Sequence, residues 1–203
     1  MFNDISVFNI REYLSAGDDK DLGEEELRGF LSEFSCGKNA DVERFLKEQS
    51  IEFTKKHQSV TYLVFSNEDA ALVGYFTLAI KPISVDASGF SNTMKRKIAR
   101  VSELNGENGT YTLSAYLIAQ LGKNFTNGAN DRVTGEQLLQ AAVDTIKELQ
   151  YMAGGMVIFL EAENEEKLVK FYEEKNGFKR FAVKEVKSGT ADAHTLIQLL
   201  KVM

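Results

Sequence analysis

Between residues 111 and 160 the hydrophobic period changes twice, and this constrains the fold more than any other feature. Over residues 111–121 apolar and polar positions alternate, which places Leu113, Ala115, Leu117, Ala119 and Leu121 on one face of an expected central strand. Thr134 and Gln137 then form a capping-box pair. Behind them Leu138, Leu139, Ala142, Val143, Ile146 and Leu149 recur at helical spacing, and Gly154 and Gly155 end the run. A short apolar strand, residues 156–160, follows. A strand that reaches its neighbour through a helix makes a crossover, the connection that parallel strands require.

The flanking sequence adds hairpins and a second crossover. Residues 24–35 and 40–57 read as helices, the second with Val42, Phe45, Leu46, Gln49 and Phe53 at helical spacing behind a cap at Asn39 or Asp41. Residues 60–65 and 72–80 read as strands of a hairpin turning at Asn67, Glu68 and Asp69. Residues 81–110 contain the sole proline, Pro82, and a polar stretch from Asn105 to Gly109, which predicts a long, partly helical excursion. A helix over 165–175 should stop at Asn176 and Gly177, before strands over 178–183 and 195–200. Hairpins mixed with crossovers predict an α/β fold with a mixed central sheet flanked by helices, in a single domain over residues 1–203.

Charge and hydropathy restrict the functional classes. The longest apolar runs, such as that from Ala70 to Ile80, reach about half the roughly 20 residues that a membrane-spanning helix needs, so no span is expected. The first 13 residues lack the basic and apolar regions of an export signal, and Cys36 is the only cysteine, so a reducing cytoplasm is expected. A net charge of −6, from 24 basic and 30 acidic side chains, opposes wholesale binding to a phosphate backbone. The local exception is Lys95, Arg96, Lys97 and Arg100, which reads either as a solvated face or as a nucleic-acid contact. His57 and His194 have no metal-ligand spacing, and no metal is expected. Cys36 has no neighbouring histidine in sequence and is expected to be structural.

The loop between strand and helix can carry chemistry. A helix opening near Thr134 offers unpaired backbone amides and a positive dipole end, which suit an anionic phosphate. Gly122, Gly128 and Gly135 add backbone freedom for close approach. An ordinary capped helix behind a flexible loop would show the same features.

Specific residues extend this reading. Leu121-Gly122-Lys123, Gly135 with Leu138-Leu139, Phe171-Tyr172 and Gly177-Phe178 resemble the acyl-CoA-binding core of the GNAT acetyltransferase superfamily. Phe34-Ser35-Cys36-Gly37, Phe45-Leu46, Thr61-Tyr62-Leu63-Val64 and the run from Val73 to Ala79 are similar to the branch that includes bacterial toxins acetylating aminoacyl-tRNA. The resemblance covers roughly residues 30–183. It implies a GNAT-like fold, acetyl-CoA as co-substrate, no metal, and direct attack of an amine on the acetyl thioester.

The resemblance also implies site residues. Leu121, Gly122, Lys123 and Asn124 would bind the acyl and pantetheine portion, with the amides of residues 122–125 as donors. Arg132, Val133, Thr134, Gly135, Glu136 and Gln137 would bind the diphosphate. Tyr172 would donate a proton to the leaving thiolate, while Glu161 or Glu163 would relay the amine's proton through water. Two departures stand out. The family's Gln/Arg-x-x-Gly-x-Gly/Ala loop maps either onto Asn130, Val133 and Gly135 or onto Arg132, Gly135 and Gln137, and neither alignment keeps it fully. Tyr172 lies five residues before Gly177, one more than usual, which predicts a longer turn or a rotated tyrosine.

The acidic chain suits a small-molecule or protein amine as acceptor. Aminoacyl-tRNA is the alternative within the resembling branch, and a non-catalytic CoA-binding or interaction module is a third reading. Exposed edge strands of this class could support a homodimer.

Overall fold

In the computed structural model, which describes residues 4–15, 20–37, 39–186 and 194–203, the expected crossover is present. Strand β5 (Thr110–Lys123) leads through a 3-10 turn (Thr126–Arg132) into helix α6 (Gly135–Ala153) and on to β6 (Val157–Glu163). Before it come β1 (Ile5–Asn9), α1 (Ile10–Ser15), α2 (Lys20–Ser32), α3 (Ala40–Arg44), α4 (Ser50–Lys55), β2 (Val60–Ser66), β3 (Leu72–Asp86), α5 (Asn92–Ile98) and β4 (Leu104–Asn105). After it come α7 (Glu166–Lys170), β7 (Lys179–Val186) and β8 (His194–Val202). The eight strands form one mixed sheet flanked by helices, ordered β1-β2-β3-β5-β6-β8-β7, with β4 pairing to β5. The chain divides into two compact units, Met1–Ala79 with Ile118–Glu148 and Ile80–Leu117 with Leu149–Met203, so β3 and β5 each contribute a segment to both.

In the first unit β1, β2 and β3 pair antiparallel, with Val7 opposite Val64 and Leu63 opposite Tyr75. Ile10, Leu27, Leu31, Phe34, Leu46, Leu63 and Tyr75 fill its core. Each such side chain contributes roughly 1.5–3 kcal/mol when withdrawn from water. Phe34 meets Tyr75 edge-on at 5.2 Å, and the buried Tyr75 hydroxyl donates to the Val42 carbonyl at 2.5 Å. Asn39, rather than Asp41, caps α3, its side chain accepting from the Val42 amide at 3.1 Å. Between α3 and α4 the backbone makes a π turn, Phe45–Gln49.

In the second unit β8 lies between β6 and β7, antiparallel to both, with Leu160 opposite Leu199 and Val183 opposite Ile197. Ile83, Val85, Phe90, Ile98, Tyr111, Leu113, Ala115, Val157, Phe159 and Leu200 form its core. Helix α5 is capped by Ser91, whose hydroxyl accepts from the Met94 amide. It buries Ile98 and leaves Arg96 and Lys97 exposed, as is Arg100 just beyond its end.

Three features depart from the sequence expectation. Strand β3 continues through Pro82 to Asp86, instead of ending at Ile80, because Ile83 and Val85 supply further buried positions. Strand β1 and helix α1 precede the expected first helix. Along β5 the buried positions are Tyr111, Leu113 and Ala115, then Tyr116 and Ile118, so the inward parity changes at Ala115 and Ala119 is exposed.

Candidate functional site

The segment from Leu121 to Gln137 lies within the first unit, and most of its expected cofactor groups are already used by the protein. Gly122 is close-packed: a Cβ there would stand 2.6 Å from Val42 Cγ1 and 3.2 Å from the Tyr75 ring. The glycine is therefore required by its packed neighbours, where the sequence suggested approach of a ligand. Leu121 and Lys123, on either side, are half-buried.

Asn124 is buried and saturated. Its Oδ1 accepts from the amides of Ser35 at 3.0 Å and Thr126 at 3.1 Å, and its Nδ2 donates to the Leu72 carbonyl at 2.8 Å. Its own amide donates to Val73 O, and that of Phe125 donates to Ser35 O. Asn124 is thus a clamp that ties the end of β5 to the turn after α2, and the amides of residues 124 and 125 are not available to an acyl group. The Phe34-Ser35-Cys36-Gly37 stretch supplies the other half of this clamp. Glu43 secures it, accepting from the Cys36 amide at 3.0 Å and the Ser35 hydroxyl at 3.2 Å, while Lys47 Nζ donates to it at 2.7 Å. The sequence reading passed over Glu43 because its partner lies seven residues back in a turn, outside any helical spacing. Burial pushes the Cys36 thiol pKa up, so this cysteine is unreactive as well as structural.

At the opening of α6 the capping box forms as expected. The Thr134 amide donates to Gln137 Oε1 at 2.8 Å, and the Gln137 amide donates to Thr134 Oγ1 at 3.1 Å. Gln137 is consequently spent on the cap, which leaves the amides of Gly135 and Glu136 to present at the helix end. That end is open to solvent: Thr134 and Glu136 are exposed, whereas Val133 is buried and anchors the turn. The Arg132 guanidinium is engaged by Asp69 at 2.8 Å and donates to Gly128 O at 3.3 Å. It is fixed in place, and its charge is partly offset. An anionic group fits the exposed amides of this 19-residue helix, where the macrodipole adds to their pull.

The remaining candidates lie in the second unit. Tyr172 sits in a π turn, Phe171–Lys175, that continues α7. Its ring packs edge-on against Phe171 at 5.1 Å and Phe178 at 5.8 Å, and burial pushes its pKa up to about 12. The phenol therefore stays protonated at any physiological pH. The π turn also explains the sequence spacing: one residue more per turn absorbs the additional position before Gly177, whose φ is +71°.

Glu161 is held differently from a proton acceptor. Burial alone would raise its pKa, but hydrogen bonds from Gln198 at 2.7 Å and Lys184 at 3.0 Å, with the charges of Lys184 and Lys81, outweigh it and lower the pKa. A carboxylate stabilised in this way is a poor base. Glu163 is half-buried and faces His194 at 3.6 Å. Among the described residues no group of histidine, cysteine and carboxylate side chains could hold a metal ion, and no helix is long and apolar enough to cross a membrane.

No protein-family model matches the sequence, and no curated protein does. Solved structures do match the fold. The structure of AtaT complexed with acetyl-methionyl-tRNAfMet superposes with a TM-score of 0.60 at 16% identity, over 95% of this chain and 94% of that one. A Tyr-to-Phe mutant of KacT gives 0.58 at 17% identity over 96% and 95%. AtaTR bound with AcCoA gives 0.52 at 15% identity over 97% and 94%. The chain has a GNAT-like fold matching these structures across nearly its whole length.

Proposed function

We propose that this chain is an acetyl-CoA-dependent N-acetyltransferase whose acceptor is the α-amino group of an aminoacyl-tRNA. The observation that carries this reading is the end-to-end likeness to AtaT in complex with acetyl-methionyl-tRNAfMet. The likeness to AtaTR bound with AcCoA supports the co-substrate.

In this reading acetyl-CoA supplies an acetyl group already activated as a thioester. The amides of Gly135 and Glu136 bind its diphosphate, and the Thr134–Gln137 cap keeps that helix end in shape for it. The Asn124 clamp fixes the end of β5. The neutral amine forms the new C–N bond as the C–S bond breaks, and the Tyr172 hydroxyl supplies a proton to the departing sulfur. Burial keeps the phenol protonated and so able to donate, and the tyrosinate left behind, a stronger base than a thiolate, is reprotonated from water. The nitrogen's surplus proton leaves through water. Glu163 is the remaining carboxylate candidate for that relay, since Glu161 is held as an ion-pair partner.

The net charge of −6 favours a second reading, in which the acceptor is a small-molecule or protein amine. One assay separates them. The purified chain is incubated with radiolabelled acetyl-CoA and a panel of aminoacyl-tRNAs, deacylated tRNA, free amino acids, polyamines and lysine peptides. Label should appear on aminoacyl-tRNA and vanish when the ester to the tRNA is hydrolysed beforehand. Transfer to polyamines or peptides, with none to any aminoacyl-tRNA, would replace the first reading by the second.

A further inference from the structure

A concavity of about 180 Å³ in the second unit is lined by Lys97 of α5, Lys179 at the start of β7 and Lys201 near the end of β8, together with Ser91 and Thr93. No carboxylate lines it. In a chain of net charge −6, three ammonium groups gathered from three separate elements are not a by-product of composition. Lys97 and Lys179 are exposed and enter no ion pair among the described residues, whereas nearby lysines such as Lys170 and Lys184 are paired to Glu166 and Glu161.

Lys201 is held ready. Its Nζ donates to the Asn176 carbonyl at 2.9 Å and lies 5.7 Å from the centre of the Phe178 ring, so little side-chain freedom remains to be lost on binding. Asn176 ends the π turn that carries Tyr172, and Phe178 packs on the Tyr172 ring. The lysine pocket and the proposed proton donor therefore share one turn. Lysine is a compact point charge suited to phosphate, and serine and threonine hydroxyls add donors to phosphate oxygens. Arg96 and Arg100, exposed on the same stretch, extend the positive surface in the way that a repeating phosphate chain, rather than one small anion, would use.

We infer that Lys97, Lys179 and Lys201 form a seat for a backbone phosphate of RNA, which on the aminoacyl-tRNA reading above belongs to the acceptor tRNA. The test uses the full chain and labelled deacylated tRNA, with binding followed by anisotropy between about 50 and 200 mM salt in the absence of acetyl-CoA. Lys97→Gln/Lys179→Gln should flatten the plot of log affinity against log salt by about two. Lys97→Arg/Lys179→Arg should keep the wild-type slope, as should Lys147→Gln, which removes an exposed lysine paired to Asp144. Melting temperatures should be nearly unchanged in all, since the Lys97 and Lys179 side chains make no bond among the described residues and the Lys147–Asp144 pair is an exposed one.

The phosphates of acetyl-CoA are the other source of this chemistry, and acetyl-CoA affinity measured on the same variants separates the two. It should not change. An unchanged salt slope in the Gln pair, absence of tRNA binding by the wild type, or a loss confined to acetyl-CoA affinity would each overturn the inference. Acetyl transfer is scored separately. Binding through these lysines without transfer would keep the seat and remove the proposed acceptor, and transfer with an unaltered slope would do the reverse.

Discussion

Gly122→Ala is the perturbation whose outcome the structure defines best. The added Cβ would lie 2.6 Å from Val42 Cγ1, 3.2 Å from Tyr75 Cε1 and 3.4 Å from Phe34 Cζ. Non-bonded carbons prefer about 3.5–4.0 Å, so something must move. Tyr75 cannot retreat, because its ring is wholly buried against Phe34 and its hydroxyl is tied to Val42 O. The half-buried Val42 methyl must yield, and α3 moves with it. Overpacking of this kind costs about 1–3 kcal/mol, equivalent to a fall of about 2–12 °C in melting temperature for a chain of this length.

Val42→Ala removes the clashing methyl and should itself cost roughly 1 kcal/mol, as expected for a partly buried valine. In the double variant the alanine methyl at 122 occupies the vacated space, so the two losses should not add. Urea and thermal unfolding of the four proteins give the interaction energy directly, with about 0.5–3 kcal/mol of recovery expected. Strictly additive losses, or a Gly122→Ala protein as stable as the wild type, would show that the close packing at Gly122 is misread.

Tyr172→Phe should lower turnover far more than acetyl-CoA affinity, as measured by steady-state kinetics beside direct binding; an equal loss in both would make the tyrosine a packing residue. Because the Tyr172 pKa is raised to about 12 from an ordinary value of about 10, the unfolded chain ionises first as pH rises. Stability that is fully present below pH 10 should therefore drain between about pH 10 and 12, by a few kcal/mol at most from this group. Urea midpoints at pH 9 and 11.5 should show a smaller drop in Tyr172→Phe than in the wild type. Thr134→Ala strands the Gln137 amide and should cost about 1 kcal/mol, read as a shift in the urea midpoint. Glu161→Gln should leave the pH dependence of turnover in place, since the carboxylate is an ion-pair partner; loss of the acidic limb would restore it as the base.

The helical and strand periods along the chain foretold what they physically encode. The capping box at Thr134 and Gln137, the hydrophobic stripe of α6, the glycine stop at Gly154 and the alternating first half of β5 are local patterns, and each appears where its period places it. The parity change at Ala115 was hidden because both halves of β5 are apolar: Leu117, Ala119 and Leu121 read as core until the partners of Tyr116 and Ile118 are known. Strand β1 was hidden for the opposite reason. Its Val7 and Phe8 are exposed, so it pairs through its backbone without the buried alternation that marks a strand.

At the candidate site, long-range hydrogen bonds decided what spacing could not. Asn124 and Gln137 looked equally suited to face a ligand, yet the fold spends both on itself, one on a clamp to Ser35 and Leu72 and the other on a helix cap. The opposite happened at Tyr172, where the sequence raised an objection and the backbone removed it. An extra residue in an α-helical turn would rotate the side chains beyond it by about 100°, away from their usual partners. A π turn takes up that residue, and the Phe178 amide closes onto the Tyr172 carbonyl at 3.1 Å while the two rings stay in contact. A longer interval before Gly177 is thus compatible with a Tyr172 ring packed against Phe178: the π turn accounts for the spacing, and the Tyr172→Phe kinetics decide whether the phenol is the proton donor.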